Sequence, residues 1–176
     1  MEYIKVSCET FFVIIILVIN MDIYELLNKL NIKYEEEKHI KVYTVEEADN
    51  LQISIDGMGC KNLFLTDNKK HYYLVLMVDN KKCDLKSLAS SLSVKKLSFA
   101  STDKLFDILN LEKGSVTPLG IINDTDNIVN IVIDKELINN KLLVHPNRND
   151  RTINIDYNDL IKLIEYVNHS YILLDI

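Results

Sequence analysis

Apolar residues recur at helical spacing in four segments of the chain. These segments are residues 21–31, 84–92, 102–110 and 157–168. In the first segment one predicted helical face carries Ile23, Leu26, Leu27 and Leu30. In the last segment the inward face is expected to carry Ile161, Ile164 and Val167. A further helix is predicted to open at Thr44, because Glu47 follows in the arrangement of a capping box, and Thr102 is the expected cap of the helix over 102–110.

Runs of β-branched and aromatic residues predict the strands. The predicted strands are residues 39–44, 62–66, 71–78, 96–100, 119–123, 127–134, 141–145, 152–156 and 171–176. Polar residues 67–70 predict a hairpin turn, whereas residues 34–38 are typical of a charged connection and 56–60 of a flexible break. Helices and strands intermix without strict βαβ alternation. The pattern therefore favours an α+β fold, with a mixed, largely antiparallel sheet and helices packed around it.

Length, charge and cysteine count narrow the class of protein. A chain of 176 residues is long enough for one domain with a substantial core. Its formal net charge of -6 argues against broad electrostatic binding of a polyanion, but a small basic patch could still hold one end of a nucleic acid. The three cysteines form no C-x-x-C motif, which argues against a disulfide framework or a structural zinc site. A reducing, cytoplasmic compartment is therefore expected.

Residues 1–20 differ from the rest of the chain. The nine apolar residues 11–19 fall short of the roughly twenty that a membrane-spanning helix needs. The residues before them include Glu2 and Glu9, and no small-residue cleavage site follows, so the segment is not typical of a signal peptide. We interpret Met21 as the biological start, residues 1–20 as an upstream extension and residues 21–176 as the functional domain. The alternative is an apolar anchor over 1–20, although no stable membrane association is expected.

Common catalytic and cofactor motifs are missing from the sequence. It contains no G-x-x-x-x-G-K, no G-x-G-x-x-G and no G-x-S-x-G. The four histidines show no i,i+4 spacing and no cysteine partners, so neither a metal nor a cofactor is expected. Three features remain: Lys61 before an apolar strand, the loop GSVTP over 114–118, and HPNRN over 145–149. Each also has a purely structural interpretation: a solvated strand end, a helix C-cap with a turn, and an asparagine-rich turn.

The order of these features is more specific than any one of them. KNLFL at 61–65, LSFAS at 97–101, GSVTPLG at 114–120 and HPNRN at 145–149 resemble the prolyl-tRNA editing family. Its members are the YbaK-like freestanding relatives of the insertion domain of bacterial prolyl-tRNA synthetase. The resemblance covers about residues 21–176 and implies that family's curled, barrel-like sheet. One departure is Ile40, where the family commonly has proline, and His39 is therefore assigned no role.

The resemblance implies a reaction and a set of site residues. The reaction is hydrolysis of the ester between a wrong amino acid and the 3′-terminal adenosine of tRNA(Pro), with alanyl-tRNA(Pro) as substrate. The catalytic residues would be Lys61, Gly114 and His145. Lys61 would contact a phosphate, the ribose or the ester oxygen. The Gly114 backbone would hold the oxyanion, and His145 would orient the substrate or a water molecule. The expected substrate-binding residues are Ser115, Val116, Thr117, Pro118 and Asn149. A basic rim near Lys61 could come from Lys69, Lys70, Lys81 and Lys82.

Several functions fit the same residues. The implied partner is the acceptor end of mischarged tRNA(Pro), with prolyl-tRNA synthetase as a second candidate. A deacylase for another mischarged tRNA, such as cysteinyl-tRNA(Pro), would share the fold but have a differently shaped pocket. A non-catalytic sensor of aminoacyl-tRNA or amino acids would bind without turnover. An unrelated domain that binds a small ligand is the third alternative.

Overall fold

The computed structural model of the chain describes residues 22–41, 51 and 53–176. Within this part the α-helices are α1 (Ile23–Lys29), α2 (Leu85–Ser91), α3 (Thr102–Leu109) and α4 (Tyr157–Tyr166), and two 3-10 helices cover Pro118–Asn123 and Lys135–Leu137. The strands are β1 (Glu36–Lys38), β2 (Met58–Asp67), β3 (Tyr72–Val78), β4 (Leu97–Phe99), β5 (Val129–Asp134), β6 (Lys141–Val144), β7 (Arg151–Asp156) and β8 (Tyr171–Leu174).

The strands form one mixed sheet with the order β1-β7-β6-β2-β3-β5-β8, and β4 pairs with β2 beside this path. The antiparallel pairs are β1 with β7, β2 with β3, β2 with β4, and β6 with β7. The parallel pairs are β2 with β6, β3 with β5, and β5 with β8. The mixed α+β fold is confirmed. The sheet is not closed into a barrel, however, because β1 and β8 lie at opposite ends of the strand order.

Most predicted elements are present. The four helices lie inside the predicted segments, and the buried face of α1 includes Ile23, Leu26 and Leu27. The predicted hairpin is the β2–β3 pair, joined by the turn over 67–70. In and after α4, Ile164 is buried, whereas Ile161 and Val167 are partly buried against the same core.

Five local predictions are wrong. Residues 119–123 form a 3-10 helix instead of a strand, because Pro118 occupies its first turn and the Thr117 hydroxyl accepts a bond from the Leu119 N–H. Residues 36–38 are strand β1, held by pairing with β7, and 58–60 already belong to β2. Helix α3 is capped by Ser101 and not by Thr102. Residues 39–41 are not strand, while 42–44 and the helix predicted to open at Thr44 lie outside the described residues.

The sheet has a hydrophobic cluster on each face because side chains alternate along a strand. The larger cluster joins sheet residues such as Phe64 and Leu74 to helices α1, α3 and α4. The smaller one joins the intervening positions, among them Leu65 and Val75, to Leu88 of helix α2. Among the described residues, no helix is long and apolar enough to cross a membrane.

Strand β2 has an interruption along one edge. β3 occupies one edge, and the other edge is shared by β6, which pairs with residues 58–59, and β4, which pairs with residues 65–67. Between them, residues 60–63 have no strand partner on that edge within the described part of the chain. In an antiparallel sheet every second residue directs its N–H and C=O toward a given edge. The gap therefore leaves the backbone polar groups of Asn62 without a strand partner, because Asn62 faces the same edge as Phe64, whose carbonyl oxygen accepts from the Ala100 N–H.

A buried ion pair ties the end of β3 to the C-terminus. The Lys81 ammonium lies 2.7 Å from the Asp134 carboxylate, 2.9 Å from that of Glu136 and 2.9 Å from the Ile176 carbonyl oxygen. Asp134 is fully buried. Burial alone would lower the pKa of Lys81, but its bonds to the two carboxylates raise it. The carboxylates of Asp134 and Glu136 therefore neutralise the charge of Lys81, which does not contribute to the expected basic rim.

The contribution of this ion pair to the free energy of unfolding can be tested by substitution. Lys81→Met leaves the Asp134 carboxylate buried without its cation, so we expect the free energy of unfolding to fall by about 3–5 kcal/mol. The matched control is Lys135→Met, which removes the exposed partner of Asp175 and should cost less than about 1 kcal/mol. Urea denaturation of both variants provides the measurement, and equal losses would contradict a special role for the buried pair.

Candidate functional site

The loop over residues 114–118 joins helix α3 to the 3-10 helix. Helix α3 ends before it, at Asn110, which adopts the left-handed conformation at φ 52°, so Gly114 is not the helix C-cap. Gly114 itself has φ 89°, a backbone conformation that favours glycine. Ser115 closes the turn, because both its N–H (3.0 Å) and its hydroxyl (2.7 Å) donate to the Glu112 carbonyl oxygen. The loop is thus held by local bonds, with Ser115 and Thr117 buried.

Thr117 connects this loop to the HPNRN segment. Its hydroxyl donates to the His145 carbonyl oxygen at 2.6 Å, and its side chain is fully buried. His145 follows strand β6, and Pro146 after it is buried. Two of the three sequence features are therefore in direct contact, although 28 positions separate Thr117 from His145.

The His145 ring is fixed in one orientation. Its Nδ1 lies 2.8 Å from the Arg151 carbonyl oxygen. A carbonyl can only accept, so Nδ1 carries the proton and Nε2 of the neutral ring keeps a free lone pair. Burial lowers the pKa of His145, which favours this neutral form at pH 7. The ring of His39 lies 5.8 Å from it, centroid to centroid.

A cavity of about 310 Å³ lies between the loop and the HPNRN turn. Ser115 and Asn149 both line it, and Asn149 is buried. The turn itself is shaped by Arg148, whose guanidinium makes two bonds to the Asp150 carboxylate at 2.5 and 2.7 Å. This contact with Arg148 lowers the pKa of Asp150 to about 2. The two charges therefore compensate each other in the wall of the cavity.

A second cavity, of about 280 Å³, borders the gap in strand β2. Its walls are mainly apolar and include Phe64 and Val116, with Gly114 and the exposed Lys113 beside them. Asn62 also lines it, and its Oδ1 is buried without a hydrogen-bond partner among the described residues. A buried acceptor without a partner costs free energy unless a ligand or water satisfies it. The cavity thus combines an apolar wall with one unsatisfied acceptor.

Lys61 precedes Asn62 in β2 and therefore points to the opposite face of the sheet. Its ammonium donates to the Asp79 carbonyl oxygen at 3.0 Å. That partner is neutral, so the bond does not compensate the positive charge of Lys61. The Lys61 backbone lies in the gap of β2, whereas its side chain lies outside the contacts that join the loop to His145.

The structure thus groups most of the predicted site residues and adds two residues to which the sequence assigned no role. The loop contacts His145 through Thr117, Asn149 shares a cavity with Ser115, and Pro118 is buried at the start of the 3-10 helix. The additions are Asn62 and His39. Strand alternation places Asn62 on the opposite face from Lys61 but does not show that this face adjoins a cavity, and the position of His39 depends on the long-range pairing of β1 with β7.

Comparisons with known proteins agree in one family. The model of the aminoacyl-tRNA editing domain matches residues 39–163. The prolyl-tRNA editing protein ProX of Acetoanaerobium sticklandii is 40% identical over 147 residues, which are 82% of this chain and 90% of that protein. Prolyl-tRNA synthetase associated domain-containing protein 1 of Danio rerio is 32% identical over 156 residues, 87% of this chain and 85% of that protein.

A solved structure supports the same fold. A crystal structure described as that of a candidate trans-editing enzyme for prolyl tRNA synthetase superposes with a TM-score of 0.59. The match covers 85% of this chain and 90% of that one at 15% sequence identity. At this identity the likeness concerns the arrangement of strands and helices alone.

The contact between the loop and His145 can be tested by removing one hydroxyl. Thr117→Val keeps the shape of the side chain but leaves the His145 carbonyl oxygen without its donor. We expect the free energy of unfolding, measured by urea denaturation, to fall by about 1–3 kcal/mol. Thr117→Ser retains the hydroxyl and is expected to lose clearly less. A valine variant as stable as the wild type would show that this hydrogen bond does not hold the loop.

The state of His145 can be tested by a pH titration followed by ¹⁵N NMR. In the folded protein the His145 ring should titrate below the ordinary 6.5 and carry its proton on Nδ1 when neutral. Because the unfolded chain then binds the proton more readily, His145 makes the free energy of unfolding fall as the pH drops through 6.5. His145→Gln should reduce that slope. A folded-state midpoint at or above 6.5 contradicts the assignment.

Proposed function

Because the chain belongs to the aminoacyl-tRNA editing domain family, we propose that it removes alanine from mischarged tRNA(Pro) in trans to prolyl-tRNA synthetase. Family membership confirms the resemblance that the sequence motifs carried, and it identifies the chain as an aminoacyl-tRNA deacylase. The proposal adds the substrate and its binding mode. The acceptor end of the tRNA would enter the site with its 3′-terminal adenosine and the attached amino acid.

The choice of a small amino acid has a physical basis. A synthetase pocket built for proline cannot strongly exclude a smaller amino acid, because missing methylene groups are worth only about 1–3 kcal/mol. A second pocket that admits the smaller group and excludes proline by its bulk then restores specificity. The apolar wall formed by Phe64, Leu105 and Val116 suits a short apolar side chain.

The observation that carries the proposal is the buried, unsatisfied Oδ1 of Asn62 beside Gly114 in the same cavity. An aminoacyl ester presents an α-ammonium group, which is a donor, next to its carbonyl group, which is an acceptor. Asn62 Oδ1 can accept from the ammonium, while backbone N–H groups of the loop face the ester carbonyl. The site would thereby satisfy its own buried acceptor only when an amino acid is bound.

The chemical step needs few groups because esters are more reactive than amides. A water molecule attacks the carbonyl carbon and gives up a proton, and the negative charge of the tetrahedral intermediate is held by the backbone N–H groups of Gly114 and Val116. The bond to the ribose oxygen then breaks, and that oxygen takes up a proton. The neutral His145 ring offers Nε2 as an acceptor that could orient this water or a ribose hydroxyl. Lys61 points to the opposite face of the sheet from Asn62, and its ammonium, whose charge the carbonyl partner does not compensate, would attract a phosphate of the acceptor end outside the Asn62 cavity.

The decisive assay measures deacylation of alanyl-, cysteinyl- and prolyl-tRNA(Pro) by the purified full chain. We expect hydrolysis of the alanyl ester and none of the prolyl ester above the uncatalysed rate. Asn62→Ala, Lys61→Ala and His145→Ala should each reduce kcat/KM at least tenfold, corresponding to about 1.4 kcal/mol of transition-state binding. Lys135→Ala, which removes an exposed lysine paired with Asp175 outside the site, is the matched control and should behave as the wild type.

Three outcomes would overturn parts of this proposal. Faster hydrolysis of the cysteinyl ester than of the alanyl ester would reassign the substrate. Tight binding without turnover of any ester would indicate a sensor. Full activity of Asn62→Ala would remove the contact with the α-ammonium group while leaving the family assignment intact.

A further inference from the structure

Two phenylalanines of the described chain are strongly exposed beside the candidate site. Phe99 is 65% exposed at the end of strand β4, and Phe106 is 57% exposed on helix α3. Single exposed apolar residues are common on protein surfaces. These two, however, each line one of the two cavities: Phe99 the one that contains Asn62, and Phe106 the one that contains Asn149. Because one ring borders each cavity, we consider both rings as ligand-binding positions.

The two cavities are neighbours on either side of one turn. Residues Lys113, Gly114 and Val116 line the first cavity, whereas Glu112, directly before them, and the intervening Ser115 line the second. Helix α3 borders both, through Leu105 on one side and through Phe106 on the other. An extended ligand that passes over this turn would therefore meet both phenylalanine rings.

The charges around the rings favour a ligand that binds by stacking. The first cavity has one cation, Lys113, among its lining residues. In the second, Lys41 and Arg148 are offset by Glu112 and Asp150. With a formal net charge of -6 for the whole chain, phosphate contacts can supply only a small part of the affinity for a nucleic acid. Aromatic rings bind unpaired bases independently of charge, and each stacked base contributes roughly 5- to 150-fold in affinity.

We propose that Phe99 and Phe106 are stacking positions for the unpaired bases at the 3′ end of the tRNA. Phe99 shares its cavity with Asn62 and Gly114, so it takes the base of the terminal adenosine that carries the ester. Phe106, beyond the turn, takes the preceding nucleotide. This inference rests on the proposed deacylase function and deepens it, because it assigns the RNA-binding residues of the same site. Unpaired bases with open faces are the usual targets of such aromatic side chains.

A protein partner is the competing occupant of these rings. A docking surface for a protein would be expected to form one continuous apolar patch. Here the rings are separated by the polar turn over 112–115, and each borders a concave cavity. The arrangement therefore favours separate bases of a single strand over one apolar protein surface.

The test uses the full chain and two readouts. The first is kcat and KM for alanyl-tRNA(Pro). The second is binding of a short RNA that ends in the tRNA 3′ sequence, with 2-aminopurine in place of the terminal adenine, whose fluorescence falls on stacking. Phe99→Ala and Phe106→Ala should raise KM at least fivefold with kcat within twofold of the wild type. Phe99→Ala should abolish the quenching, Phe106→Ala should weaken binding of the RNA, and Phe99→Trp should retain both.

The matched control is Ile172→Ala, which shortens another exposed apolar side chain on β8, at the far end of the strand order. It should leave both readouts unchanged, and urea denaturation confirms that each variant is folded. Unchanged KM and RNA binding in both alanine variants would overturn the inference. Loss of binding to prolyl-tRNA synthetase with normal RNA binding would overturn it in favour of a protein surface. A failure of the deacylase proposal is distinguishable, because the wild type would then bind the RNA probe without hydrolysing any ester.

Discussion

Strand β2 is the constraint on which the site depends. Its ten residues pair with β3 on one edge, while β6 and β4 share the other edge without meeting. Buried backbone N–H and C=O groups without partners are costly, so the interval over residues 60–63 must remain open to water or to a ligand. The sheet thereby places reachable polar groups between two hydrophobic clusters. The apolar walls of the neighbouring cavity include Phe64 of β2 and Leu105 of α3, two residues that also belong to the hydrophobic core.

The loop opposite this gap is positioned mainly through backbone groups. The Thr117 hydroxyl donates to the His145 carbonyl oxygen, and the His145 ring donates to the Arg151 carbonyl oxygen. The Ser115 hydroxyl donates to the Glu112 carbonyl oxygen. Each bond joins a side chain of the site to a main-chain oxygen, whose position follows from the fold. The donors that would face a developing oxyanion are consequently fixed before substrate arrives, which is the condition for electrostatic stabilisation of a transition state. The loop can be rigid although it lacks regular secondary structure.

The sequence predicted local elements well and long-range ones poorly. Helix α1 and the β2–β3 hairpin follow from apolar periodicity and a polar turn, and the order of four short motifs was enough to identify the family. Strand β1 was missed because its residues, Glu36 to Lys38, are charged and become a strand only by pairing with β7. The same pairing brings His39 to His145. Asn62 was missed because a strand pattern does not reveal which face adjoins a cavity.

The acidic charge of the chain is compatible with an RNA substrate because an editing enzyme must also release it. Broad phosphate contacts would bind every tRNA alike, since the backbone carries no information about the attached amino acid. Lys81, which could have added to such contacts, is instead held by Asp134 and Glu136. In the proposed binding mode, affinity comes from the single-stranded end and the ester, and the attached amino acid is the feature that distinguishes a mischarged tRNA. Loss of the ester on hydrolysis then removes a large share of that affinity, and the product can leave.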